Sequence, residues 1–148
     1  MANYHGFTRT NYFTVTDEDK FRQIMSNCVC DENPIEVFDC IETNGNKVFG
    51  FGCYGSILGL PDMTDDEEFE EDGDYDYSFD ALCEALQEVI DKDDAVIITE
   101  VGYEKLRYLV GISTIITHAK IEMVSLHDSA LNAAREMLNN PNYSTELG

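Results

Sequence analysis

Five cysteines and three histidines are the residues of this 148-residue chain most suited to metal or nucleophilic chemistry. Cys28, Cys30, Cys40 and Cys53 could in principle supply four thiolates to a tetrahedral zinc. No CxxC pair exists, however, and the intervals after Cys30 match no familiar ligand pattern. Cys83 makes the count odd, and reduced, buried thiols in a reducing cytosol are the expected reading. His5, His118 and His127 lie far apart, with no HExxH or paired-ligand spacing. A Cys–His nucleophile pair has only composition in its favour. The expectation is therefore no catalytic residue, no metal and no cofactor. An enzyme would need a cleft that no motif announces.

Three further patterns fail on register or charge. Glu68, Glu70 and Asp72, followed by Gly73, Asp74 and Asp76, resemble the first nine positions of an EF-hand loop. Position twelve is then Phe79, where calcium needs a bidentate Glu. Gly50-Phe51-Gly52-Cys53-Tyr54-Gly55 approaches GxGxxG, yet Ser56–Pro61 should break the chain where a helix must start, and dense negative charge follows. The basic spot Lys105-Leu106-Arg107 is too small for a nucleic-acid footprint.

The carboxylates themselves remain. The chain has 30 Asp and Glu against 9 Lys and Arg, a net charge of −21. Residues 48–91 hold 14 carboxylates and no base, two thirds of that excess. Ten of them crowd into Asp62–Asp76. This sign excludes a direct DNA or RNA binder and disfavours an anionic membrane surface. No apolar window is long enough to cross a bilayer, and Met1–Thr10 lacks the apolar region of a signal peptide, so a cytoplasmic protein is expected. Such a surface steers toward a basic partner. Duplex DNA carries one charge per about 1.7 Å of axis, and an array of carboxylates can occupy the same groove in a nucleic-acid-binding protein. The candidate phosphate mimics are Asp65, Asp66, Glu67, Glu68, Glu70, Glu71, Asp72, Asp74 and Asp76, extended by Asp80, Glu84 and Glu88. Phe69, Tyr75 and Tyr77 are the candidate apolar anchors. The rival reading is an adaptor or regulatory protein whose acidic loop merely solvates.

The elements that must position these residues are legible from periodicity. Phe7–Val15 is β-rich and reads as a strand. Thr16 is the expected cap of a helix over Asp17–Asn27 with Phe21, Ile24 and Met25 on its apolar face. Ile35–Glu42 and Lys47–Tyr54 read as a hairpin through Asn44-Gly45. Ser78 caps a helix over Phe79–Ile90, whose apolar stripe is Phe79, Leu82, Cys83, Leu86 and Ile90. Asp80, Glu84, Glu88 and Asp91 fall on its opposite face. Strands follow at Ala95–Val101, Leu106–Thr117 and Ile121–Val124. Ser125 and Asp128 box the start of a last helix that ends near Leu138. The expected fold is α+β, a single domain over 1–148. It has a largely antiparallel sheet of about five to six strands, about three helices on one face, and an acidic insertion loop at 61–77.

Two stretches carry a resemblance. Tyr4-His5-Gly6-Phe7-Thr8-Arg9-Thr10-Asn11-Tyr12-Phe13 and Val101-Gly102-Tyr103-Glu104-Lys105-Leu106-Arg107-Tyr108 look like small acidic proteins of plasmids, phages and conjugative elements of Gram-positive bacteria. In type the chain resembles the anti-CRISPR and anti-restriction inhibitors. That resemblance implies a non-catalytic inhibitor in a bacterial cytoplasm. Its target would be a Cas9-like nuclease or a restriction-modification enzyme.

Overall fold

The computed structural model describes residues 4–31, 34–42, 45–61, 77–105 and 108–145. The first strand, β1 (Tyr4–Thr10), starts and ends earlier than expected. Residues 11–15 continue only as isolated bridges, Phe13 to Phe49 and Val15 to Ile90. Helix α1 (Glu18–Asn27) buries Phe21, Ile24 and Met25. Its cap is Asp17 rather than Thr16: the Asp17 carboxylate accepts from the Lys20 backbone N–H at 3.1 Å. The Thr16 hydroxyl is engaged elsewhere, donating to the Val89 carbonyl at 3.2 Å.

Two short strands then join a small sheet that periodicity did not reveal. β2 (Val29–Cys30), β5 (Ile57–Pro61) and β6 (Tyr77–Ser78) pair in the order β2-β5-β6. The segment Ser56–Pro61, expected to break, is thus mostly a strand. Gly59 makes this possible: its φ of +118° suits glycine, and a Cβ there would lie 2.2 Å from the Ser78 carbonyl oxygen.

The main sheet contains the hairpin β3 (Glu36–Ile41) and β4 (Lys47–Tyr54), the long hairpin β7 (Val96–Glu104) and β8 (Tyr108–Ile116), and β9 (Ile121–Ser125). All six strands are antiparallel, in the order β3-β4-β1-β7-β8-β9. With α2 (Phe79–Val89) and α3 (Leu126–Met137), the chain is an α+β fold of three helices and nine described strands, several more than expected. Short strands of two residues carry no readable alternation, which is why they escaped detection.

The core lies between the main sheet and the pair α1 and α2. Phe13, Phe21, Phe49 and Phe51 meet edge-on or tilted, with centroids 5.2–6.4 Å apart. Leu82, Leu86 and Val89 of α2 belong to the same buried cluster as Val96, Ile98 and Ile116. α3 is correctly capped, the Ser125 hydroxyl accepting from the Asp128 N–H at 3.3 Å, but it buries none of its residues. No helix among the described residues is long and apolar enough to cross a membrane.

Candidate protein interface

α2 presents two faces of opposite chemistry. Leu82, Cys83, Leu86 and Val89 are buried. Asp80, Glu84 and Glu88 are exposed on the other side, at four-residue steps of about 6 Å along the axis. The row ends at Glu88, whose Oε2 pairs with Lys20 Nζ at 3.3 Å. Asp91 does not extend it, because its carboxylate accepts from the Asp93 N–H at 3.0 Å and closes a turn.

The acidic segment joins this row directly. Pro61 of β5 pairs with Tyr77 of β6, and Leu60 with Ser78. The chain therefore leaves and returns between neighbouring strand ends, and Ser78 at once caps α2, accepting from the Ala81 N–H at 3.0 Å. Tyr77 is exposed at this junction. Asp65, Asp66, Glu67, Glu68, Phe69, Glu70, Glu71, Asp72, Asp74, Tyr75 and Asp76 lie outside the described residues. Of the candidate site, the structure thus places Asp80, Glu84 and Glu88 on one helix, with Tyr77 two residues before it.

Basic residues concentrate away from that row. Glu18 Oε2 accepts from Arg22 Nε at 2.9 Å and Lys47 Nζ at 3.1 Å, and Asp39 Oδ2 accepts from Arg22 Nη2 at 2.9 Å. Hydrogen bonds from Arg22 and Lys47 hold the Glu18 carboxyl below its ordinary range. Arg9 lies over the rings of Tyr12 and Phe38. Among the described residues no Lys or Arg pairs with Asp80 or Glu84. Among the described residues, the carboxylates of α2 are therefore ion-paired only at Glu88.

Burial holds three of the five thiols back from nucleophilic chemistry. Burial pushes Cys28 and Cys53 up to about 12 and Cys83 up to about 11, so each stays protonated at neutral pH. Cys30 is half-buried, and burial raises its thiol above the ordinary value. Cys40, on edge strand β3, is exposed, contrary to the expectation of five buried thiols. The histidines stay apart. His5 meets the Tyr103 ring at a 39° tilt, His127 Nε2 contacts the Leu109 carbonyl at 2.9 Å, and His118 is exposed beyond β8.

One polar group escaped the sequence reading. Glu100 Oε2 accepts from the Tyr4 hydroxyl at 2.7 Å and from the Ser56 hydroxyl at 2.8 Å. Burial and then the Glu100 contact push the Tyr4 phenol above its ordinary value. Strand alternation from Val96 and Ile98 places Glu100 on the inner face, which was the available signal. Gly6 pairs with Gly102, and the Tyr4 ring lies over both: a Cβ on Gly102 would sit 2.2 Å from the hydroxyl. The two stretches that carry the resemblance are thus direct neighbours, Tyr4 opposite Glu104 and Phe7 opposite Val101. Glu100 also borders a pocket of about 180 Å³ with Thr8, Ile57, Phe79, Thr114 and Met123. Its lining is mainly apolar, and it contains neither cysteine nor histidine.

The chain matches no protein-family model, no curated protein and no solved structure.

Proposed function

We propose that the protein is a non-enzymatic inhibitor that binds the DNA groove of a basic, nucleic-acid-binding defence nuclease, with a Cas9-like enzyme the favoured target. Anti-restriction mimicry of DNA is the same mechanism on another enzyme. The observation that carries this reading is the exposed row Asp80, Glu84 and Glu88, held on a helix whose other face is core. A rigid support matters, because charges already held in place cost less order when a partner binds. Ten carboxylates enter the chain between the paired ends Pro61 and Tyr77, immediately before that helix.

Changing Asp66, Glu68, Glu70 and Asp72 to Lys abolishes inhibition on this reading and leaves the melting temperature equal or higher. Binding to the nuclease also weakens steeply with salt. Full inhibition by the reversed variant refutes the mimic.

A second reading has its own support. The outward face of the main sheet exposes Phe7 at 51%, Tyr54 at 61% and Tyr103 at 51%, enough aromatic surface for an adaptor. Deleting 65–76 separates the two: an adaptor keeps its partner, and the mimic loses it.

A further inference from the structure

Strand β9, Ile121-Glu122-Met123-Val124-Ser125, ends the six-stranded sheet and pairs only with β8 among the described residues. An open edge is a template for another strand, and proteins commonly guard it with lysine, proline, a bulge or a covering helix. The opposite edge, β3, carries Glu36 and Asp39, and Asp39 is ion-paired. β9 has one charge and a regular five-residue register. Ile121, Met123 and Val124 are 39%, 65% and 47% exposed. Leu126, Met137 and Leu138 of the following segment are exposed as well.

Charge selects what covers this edge. Residues 109–138 contain only Lys120, Glu122, Asp128, Arg135 and Glu136, a nearly neutral set in a chain of −21. A basic groove drawn to α2 gains little here. A second copy, repelled by the carboxylates of residues 48–91, meets a net charge of only −1 along residues 109–138. The strand is also complementary to itself. Antiparallel copies related by a two-fold axis at Met123 set Glu122 against Val124 and Ile121 against Ser125, so the two Glu122 never face each other directly.

We propose that two copies of this chain associate through β9, joining their six-stranded sheets across a two-fold axis at Met123. A five-residue strand pair is smaller than the roughly 1,600 Å² of a standard stable interface, so the dimer is weak and dissociates on dilution.

Sedimentation of the full chain from about 1 to about 500 µM tests this, with mass rising from monomer to dimer as concentration rises. Salt screens the self-repulsion, so added salt strengthens this association while it weakens binding through the acidic face. Met123→Lys, at an exposed side chain, weakens dimerisation by about tenfold or more while the circular dichroism melt is unchanged. In the wild-type chain, amide hydrogen exchange at β9 slows as concentration rises, which reads the interface without any variant. A monomer at every concentration, species larger than the dimer, a dimer indifferent to Met123→Lys, or β9 exchange independent of concentration each overturns the proposal.

Discussion

Helices α1 and α2 differ from α3 in burial, although all three start by the same local rule. Each begins at a side-chain cap, Asp17, Ser78 or Ser125, and each has an acidic residue in its first turn. Each is amphipathic. Yet α1 buries Phe21, Ile24 and Met25, α2 buries Leu82, Cys83, Leu86 and Val89, and α3 buries nothing. Caps and apolar spacing specify that a helix forms. Whether its apolar side finds a partner depends on where the sheet delivers it. β9 delivers α3 at the end of the sheet, where Leu126 meets the Gly111 backbone and His127 meets the Leu109 carbonyl.

The largest expected effect sets a core residue against its counterpart in α3. Phe21→Ala removes a ring that touches Phe13, Phe49 and Phe51 and should cost about 3–5 kcal/mol. Leu131→Ala, at a half-buried site in α3, should cost less than about 1 kcal/mol in the same urea titration. Equal losses would mean that α3 packs as firmly as α1.

Removing the caps sharpens the same contrast at smaller amplitude. Asp17→Ala should lower global stability by about 1 kcal/mol, because α1 cannot fray without uncovering Phe21. Ser125→Ala should instead reduce helical ellipticity while leaving the urea midpoint almost unmoved. A midpoint shift as large as that of Asp17→Ala would show that α3 unfolds together with the core.

The smallest effect concerns pH. The Glu18 carboxyl is held low by hydrogen bonds from Arg22 and Lys47, which tie α1 to the start of β4. A depressed carboxyl contributes stability above its unfolded value, about 4.3, and loses that contribution as pH falls through the lower folded value. Wild type and Glu18→Gln should therefore differ slightly at pH 7 and converge in acid. A difference that grows toward low pH would reverse the assigned sign.

The legible parts of the fold share a cause. β3, β4, α1, α2 and α3 appeared because a long apolar pattern, a cap or Asn44-Gly45 announced them locally. β2 and β6 stayed hidden because two residues have no period, and β5 because its Gly59 and Pro61 look like breaks when read alone. Of the site, the α2 row was readable from its four-residue spacing. The junction was not: Pro61 and Tyr77 become neighbours only through β5–β6 pairing. Glu100, Tyr4 and Ser56 come from three distant segments and meet only when β1 and β7 align.

Composition and order along the chain determine how much charge this protein carries, where it concentrates, and which helices can form, because these properties depend on neighbours in sequence. Tertiary structure decides which of those features face solvent. It places Asp80, Glu84 and Glu88 outside a buried helix, draws Lys47, Arg22 and Glu18 together, and leaves β9 paired only with β8 among the described residues. The physical reason is that burial and strand pairing are set by contacts between distant segments, and such contacts leave no mark on local periodicity.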